Sequence, residues 1–166
     1  MIESARVWKF GNSLNTDLLA PGLYFKLPAE EAVVHCLETT RPEFVQEVRQ
    51  GDVFVAGDDM GIGSSREQAP QNLKMLGISA VIAKSFARIF YRNALNIGLP
   101  ALVCAEADQI EDGDRLSIDP VSGSIINETK GQTYQCDPIP EHLMEMIADG
   151  GLMPHLKKKI AAGQKP

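Results

Sequence analysis

The stretch "ISAVIAKSFARIFYRNALNIGLPALVC", residues 78–104, decides the fold class of this chain. It opens with a nearly continuous apolar run, which is typical of a strand buried on both faces of a parallel sheet. A helical segment then ends at Gly98, and "LPALVC" forms a further apolar strand. The strand "GDVFVAG" and another helix precede this stretch, so strands and helices alternate from Gly51 to Cys104. That order predicts a parallel crossover unit.

The segments on either side complete the predicted architecture. Upstream, "ARVWKF" is predicted to be a strand, and two short helices, residues 28–40 and 42–51, each begin with a proline. Downstream, three alternating segments separated by turns predict an antiparallel meander: "DRLSIDP", "SIINET" and "TYQCDP". Two helices close the chain, and we expect the last eight residues to be mobile. The length of 166 residues and the apolar fraction of 44% suit one α/β domain over residues 1–166.

Charge and cysteine content exclude several classes of function. The net charge is -6, and the dense basic run is confined to residues 157–159, so we expect no nucleic-acid partner. The start of the chain lacks the pattern of a signal peptide, and no segment is long and apolar enough to span a bilayer. We therefore expect a cytoplasmic protein without a membrane partner. The three cysteines are far apart and none belongs to a C-x-x-C pair, which predicts buried thiols and no metal or cofactor ligands in this chain.

The loop "AGDDMGIGSSREQAP", residues 56–70, holds the residues most suited to chemistry. Its glycines allow a sharp turn and a close approach of the backbone to a ligand. It does not match the phosphate-binding P-loop, because no glycine here is followed by lysine. Arg66 stands where the dinucleotide-binding fingerprint needs its last glycine, and the two serines do not fit the G-x-S-x-G nucleophile elbow.

The serines have a structural alternative, which is to cap the helix that follows. Ser64 and Glu67 have the spacing of a capping box. With Ser64 as the cap, however, Pro70 would lie in the second turn, where it lacks a needed amide and its ring clashes with the preceding turn. We therefore expect the helix to begin within residues 66–69, which leaves the side chains of Ser64 and Ser65 free.

Free serines beside a helix start and an arginine indicate an anion site. Backbone amides at a helix start favour negative charge, and the guanidinium of Arg66 can bind a carboxylate at two points. The residues alone therefore indicate a carboxylate or phosphate site with a serine that acts as base or nucleophile. They do not choose between these alternatives.

Three stretches of the chain resemble the aconitase family. "GSSREQAP" closely resembles the G-S-S-R-E-H-A-P motif of that family's swivelling domain, and "GNSLNTDLLAPGLYF" is similar to its G-D-N-I-D-T-D-x-I-x-P-G-x-Y-L. The C-terminal part resembles the meander and helix of isopropylmalate dehydratase small subunits. The resemblance implies a β/β/α swivelling domain that is active only with a separate large subunit. That partner would carry a [4Fe–4S] cluster, whose open iron acts as a Lewis acid on the departing hydroxyl.

The resemblance also implies roles for residues of the loop. Ser64 would be the alkoxide that removes a proton from the carbon next to a substrate carboxylate and returns it at the isomerised position. Arg66 would bind a substrate carboxylate, and Ser65 and the loop amides would supply further donors. This chain has Gln68 where the family commonly has histidine, a polar change that we expect to shift hydrogen bonds without loss of the chemistry.

A second motif contributes an acidic residue to the same implied site. Asp17 matches a position that helps to order the site and the substrate, although an Asx-turn role would explain it as well. Asn15 replaces the common aspartate of this motif, again a near-isosteric polar change.

The segment "YFKL" bears on the substrate, because in this family the residues after P-G-x-Y face its variable arm. Tyr24 and Lys26 are therefore substrate-binding candidates. Lys26 could pair with a distal carboxylate, or point outward and leave an apolar pocket lined by Phe25 and Leu27. The resemblance favours isomerisation of isopropylmalate in leucine biosynthesis.

Other functions stay open at this point. The substrate could be another di- or tricarboxylate, from dimethylmalate, citramalate or homoaconitate chemistry. A non-catalytic carboxylate-binding subunit and an acyl-enzyme serine hydrolase are alternatives from other classes. The hydrolase is disfavoured because no histidine lies near either serine in the sequence.

Overall fold

The structure is a computed structural model that describes residues 1–163. The strands are β1 Ile2–Lys9, β2 Val53–Val55, β3 Ala80–Ala83, β4 Ala101–Val103, β5 Arg115–Asp119, β6 Ser124–Asn127 and β7 Gln132–Gln135. The helices are α1 Thr16–Leu19, α2 Ala29–Ala32, α3 Glu43–Glu47, α4 Gln68–Met75, α5 Arg88–Asn96, α6 Glu141–Ala148 and α7 Leu152–Ala161. Short 3₁₀ helices cover Gly22–Tyr24, Val33–His35 and Ala107–Gln109.

One mixed sheet contains all seven of these strands, in the order β4-β3-β2-β1-β5-β6-β7. Strands β1 to β4 pair in parallel, with α4 and α5 as the crossovers between β2, β3 and β4. Strand β1 also pairs antiparallel with β5, from which the meander β5-β6-β7 continues. The predicted crossover unit and meander are therefore confirmed, and β1 is the strand that joins them into one α/β sheet.

The core follows from the apolar patterns of the strands. All residues of β2 and β3 are buried, as the near-continuous apolar runs predict, whereas β5 alternates and buries Leu116 and Ile118. Trp8 of β1 is fully buried, and its indole Nε1 donates a hydrogen bond of 2.8 Å to Asp52 Oδ2. This bond satisfies the one polar group of the indole, so the ring can pack in the core at no cost in unpaired donors.

The predicted helix over residues 28–40 is shorter than expected. Its α-helical part ends at Ala32, and a single 3₁₀ turn follows. Beyond that turn Leu37 adopts a φ of +59°, buries its side chain, and donates its amide to the carbonyl of Leu18 at 2.8 Å. This tertiary contact overrides the helical pattern. The two adjacent valines of the segment have a low helix propensity, so the helix that is lost there would have been weak.

The C-terminal end of the chain is helical up to Ala161. The tail predicted to be mobile therefore begins within α7, and its last three residues, 164–166, lie outside the described residues. None of the helices found in residues 1–163 has the length and apolar character needed to cross a membrane.

Candidate active site

The serine loop, which we define as residues 56–67, leaves the carboxyl end of β2 and is held by the start of α1 and the segment just before it. The amide of Gly61 donates to the carbonyl of Leu14 at 2.8 Å. The hydroxyl of Thr16 donates to the carbonyl of Ser64 at 2.9 Å. These long-range bonds bring the two motifs that resemble the aconitase family into direct contact.

Gly63 allows this contact because no side chain would fit there. Its φ is +105°, and a Cβ at this position would lie 2.6 Å from Asn15 Oδ1. The same Asn15 oxygen accepts a hydrogen bond of 2.8 Å from the amide of Asp17 and so caps α1. Asn15 is therefore the residue that forms the local turn, which leaves the carboxylate of Asp17 available for another partner.

The prediction for the helix start is confirmed. Helix α4 begins at Gln68 without a side-chain cap, so Pro70 lies in its first turn, where its missing amide costs nothing. Ser64 and Ser65 are exposed. The hydrogen bonds of Ser64 use its carbonyl, and within residues 1–163 neither serine hydroxyl has a partner. Both hydroxyls are thus open to a ligand.

Arg66 is fixed on one side and free on the other. Its Nη1 atom donates to Asp17 Oδ1 and to the carbonyl of Ala20, both at 2.6 Å. The Arg66 hydrogen bond, followed by one from the amide of Gly22, holds the pKa of Asp17 below its ordinary value. The Asp17 carboxylate therefore orients the guanidinium, while Nη2 and Nε lack partners in the described part of the chain.

A cavity of about 750 Å³ lies between the serine loop and the start of α5. Ser64 and Arg66 line it from the loop, and Arg88 and Arg92 line it from the helix. No acidic residue is among its described lining residues, although the chain as a whole carries a net charge of -6. Arg66 pairs with Asp17 behind the cavity wall, and Arg88 and Arg92 add two further positive charges, so the potential of the cavity favours an anionic ligand.

Contacts with the serine loop fix the start of α5. The amide of Ala87 donates to the carbonyl of Met60 at 3.0 Å, and Phe90 packs where a side chain on Gly61 would have to go. The sequence interpretation did not identify Arg88 and Arg92 as candidates. Their four-residue spacing on the helix after β3 was the available signal, because this spacing places two residues on one helix face.

A second cavity of about 220 Å³ lies on the other side of Arg66. Tyr24, Phe25 and Leu27 line it, with the small side chains of α2, and Lys26 is exposed and is not one of its lining residues. The aliphatic and aromatic carbon of this wall suits an apolar group.

Tyr24 is held in place by neighbours on the segment after α2. Its ring stacks on His35 with a centroid distance of 3.5 Å and an interplanar angle of 8°. Glu38 accepts a hydrogen bond of 2.7 Å from His35 Nδ1, and the same carboxylate, as an acceptor for the Tyr24 hydroxyl, raises the pKa of that phenol. The His35–Glu38 pair therefore orients the wall of the second cavity.

Of the predicted site residues, the structure brings Ser64 and Arg66 into one cavity and Tyr24 into the other. Asp17 touches Arg66, Ser65 lies exposed beside Ser64, and Lys26 lies outside both cavities.

In the part of the chain that the structure describes, the residues do not fit a metal or cluster site. Within residues 1–163 no three His, Cys, Asp or Glu side chains lie close enough together to hold a metal ion. The cysteines are buried, and burial raises the pKa of Cys36 to about 12 and that of Cys136 to about 11. Protonated, enclosed thiols are poor ligands for iron.

Comparison with known proteins assigns the family. Residues 30–107 match the aconitase C-terminal domain. The chain is 49% identical to a 3-isopropylmalate dehydratase small subunit of Wolinella succinogenes, over 98% of both chains. It is also 49% identical to a methanogen homoaconitase small subunit of Methanothermobacter thermautotrophicus, over 98% of this chain and 95% of the relative.

A solved structure agrees with these sequences. The crystal structure of a 3-isopropylmalate dehydratase from Methanocaldococcus jannaschii matches with a TM-score of 0.91 and 43% identity, over 98% of both chains. The resemblance inferred from the motifs is thereby confirmed. This chain belongs to the family of 3-isopropylmalate dehydratase small subunits, which are components of a two-subunit hydro-lyase.

Proposed function

We propose that this chain is the small subunit of a cytoplasmic hydro-lyase that interconverts 3-isopropylmalate and 2-isopropylmalate in leucine biosynthesis. The observation that carries the proposal is that Ser64, whose hydroxyl has no partner in the described part of the chain, and Arg66, oriented by Asp17, line the same cavity. A base next to a carboxylate-binding group is what removal of a proton from the carbon beside a carboxylate requires.

Arg66 binds one substrate carboxylate in this proposal. Its Nη1 atom is occupied by Asp17 and Ala20, so Nη2 and Nε are the donors available to substrate. Charge-assisted hydrogen bonds from Arg66 to this carboxylate hold the adjacent carbon in place. The exposed hydroxyl of Ser65 supplies a further donor.

Ser64 is the base that removes the proton and returns it at the isomerised position. A serine hydroxyl is a poor acid, so the alkoxide must be stabilised by its surroundings. Arg88, Arg92 and the uncapped start of α5 provide positive charge beyond that of the Arg66–Asp17 pair, and none of the described residues that line the cavity is acidic.

A large subunit completes the enzyme in this proposal. It carries the [4Fe–4S] cluster, which supplies Lewis-acid chemistry at the departing hydroxyl. This chain contributes the base and the carboxylate-binding groups, and the pair forms a heterodimer.

The second cavity supports an alkyl-substituted malate as substrate. Its wall of Phe25 and Leu27 suits the isopropyl group, and Arg66, the cation among its described lining residues, is used by the malate carboxylate in this proposal. Lys26, which could pair with a distal carboxylate, is not one of the lining residues. These contacts favour isopropylmalate over homoaconitate.

The test is turnover by this chain mixed with a cluster-loaded large subunit of a relative. Isopropylmalate, citramalate, dimethylmalate and homocitrate are offered in turn, and the unsaturated acid is followed by its absorbance. We expect activity only in the mixture, highest with isopropylmalate, and lowered about 100- to 10,000-fold by Ser64→Ala. The matched control Ser122→Ala, an exposed serine of the meander, should keep full activity.

Three results would count against the proposal. If Ser64→Ala turns over substrate as fast as the wild type, Ser64 is not the base. If the complex acts on none of the substrates, the chain is a non-catalytic carboxylate-binding subunit. Covalent labelling of Ser64 by a fluorophosphonate would indicate a hydrolase nucleophile instead.

A further inference from the structure

Two cations in the large cavity have no part in the function proposed above. Arg88 is the first residue of α5, and Arg92 lies one turn further along the same helix. Both line the cavity opposite Ser64, and both are exposed. In the described part of the chain, neither side chain makes a hydrogen bond or an ion pair.

Helix chemistry does not explain why these residues are arginines. A cation in the first turn opposes the helix dipole, and like charges four residues apart repel each other. No side chain caps α5, so the amides of its first turn add to the positive charge at the same place. The helix start would be more stable with neutral or acidic residues, unless an anion binds there.

The fold fixes these arginines at the site. The start of α5 is bonded to the serine loop through Ala87 and Met60, and the buried Phe90 packs against Gly61. The distance between the helix and the loop is therefore set by backbone contacts. Arg88 and Arg92 are held across the cavity from Arg66, which binds the first carboxylate in the proposed function.

We propose that Arg88 and Arg92 bind the second carboxylate of the substrate, while Arg66 binds the first. This inference rests on the proposed function, because a substituted malate carries two carboxylates. The donors of Arg66 that remain free suffice for one carboxylate, and the guanidinium groups of Arg88 and Arg92, which have no described partner, can bind another. Of the described residues that line this cavity, Arg88 and Arg92 are the further cations.

The test uses the complex of this chain with a large subunit and three substrates. These are isopropylmalate and its two half-amides, in which one or the other carboxylate is a primary amide of the same shape without the charge. Arg88→Ala and Arg92→Ala should each raise KM for isopropylmalate about 10- to 100-fold. The control Arg49→Ala removes an exposed arginine that lies outside the cavity, and it should leave KM unchanged.

The half-amides separate substrate binding from general damage. The wild type should prefer the diacid to both half-amides. Arg88→Ala and Arg92→Ala should no longer prefer the diacid to one of the half-amides, but should still prefer it to the other. Arg66→Ala should show the reverse pattern. Arg92→Lys, which keeps the charge, should restore part of the preference for the diacid.

Stability and assembly provide the remaining readouts. Arg88→Ala should keep or raise the Tm of the isolated subunit, because it removes an unfavourable charge from the helix start. The inference is overturned if the preference for the diacid is unchanged in both variants. It is also overturned if sedimentation shows subunit affinity falling in proportion to activity, since the arginines would then bind the partner subunit. Inactivity of the wild-type complex, in contrast, would overturn the proposed function as well.

Discussion

Gly61→Ala tests whether the contact between the serine loop and α5 holds the site together. Gly61 has a φ of +84°, and its amide bonds to the segment before α1. A Cβ at this position would overlap Phe90, with the ring atom Cδ2 at 2.6 Å. Phe90 is 2% exposed, and the added Cβ would also overlap its Cβ, so a rotation of the ring alone cannot relieve the contact.

The cost has two parts that can be estimated separately. An alanine in the left-handed region costs about 1–2 kcal/mol. Forcing a buried aromatic ring to shift costs a further 1–3 kcal/mol, approximately, as in other overpacked cores. We therefore expect Gly61→Ala to lower the free energy of unfolding by about 2–5 kcal/mol, which corresponds to a Tm decrease of about 4–20 °C for a chain of this size.

A second glycine provides the matched control. Gly113 has nearly the same φ, +83°, but a Cβ there would meet no atom within 4 Å. Gly113→Ala should therefore show only the backbone part of the cost, and the difference between the two variants measures the overlap with Phe90. Thermal and urea unfolding of the isolated subunit give these values, and the reasoning is refuted if the two variants are equally stable.

Activity provides the link from packing to function. At a temperature where both variants are folded, Gly61→Ala should reduce turnover by the complex more than Gly113→Ala does. The reason is that a displaced α5 moves Arg88 and Arg92 away from Ser64, and small displacements at a reacting centre are expensive. Equal turnover in the two variants would show that the spacing of loop and helix does not matter.

Two further predictions concern ion pairs. Asp17→Asn should lower kcat/KM about tenfold, because Arg66 loses the partner that orients it. The same change should alter the free energy of unfolding by less than about 1 kcal/mol, because the Asp17 side chain is 62% exposed. Kinetics that match the wild type would exclude this role. Hydrogen bonds from Arg41 and from the amide of Lys9 hold the pKa of Asp112 below its ordinary value. The Arg41–Asp112 ion pair therefore stabilises the fold above about pH 4, and this stabilisation is lost as the pH falls through the lowered pKa. Urea unfolding from pH 7 to pH 3 should therefore show the wild type losing up to about 1 kcal/mol more than Asp112→Asn, and parallel curves would contradict this.

Local patterns account for the elements that the sequence predicted correctly. The apolar run that became β3 is buried throughout, and the alternation of β5 matches its one-sided burial. The start of α4 could be predicted because the restriction imposed by Pro70 acts within a few residues. The end of α2 could not, because the amide of Leu37 bonds to Leu18, and such a long-range contact leaves no local pattern.

The pairing of β1 with a strand on each side could not be predicted from the sequence either. Its buried residues indicate a strand, but they do not say that β1 pairs parallel on one side and antiparallel on the other. At the site, the motif predicted Ser64 and Arg66, while the orientation of Arg66 depends on Asp17, 49 residues earlier in the chain. The arginines of α5 resembled an ordinary polar helix face until the fold placed them opposite the serine loop.

The division of the sheet explains why the site forms where it does. Strands β2 and β3 are adjacent and parallel, so the serine loop and the start of α5 leave the same edge of the sheet, where ligands bind in open α/β sheets. The meander on the other side of β1 contributes no described lining residue to either cavity. The buried polar side chain of the meander, Asn127, is satisfied within the fold, because it donates a hydrogen bond of 2.7 Å to Asp114. The parallel half therefore carries the candidate anion site, where Arg88 and Arg92 have no acidic partner among the described residues. The antiparallel half closes the core and contributes no described lining residue to that site.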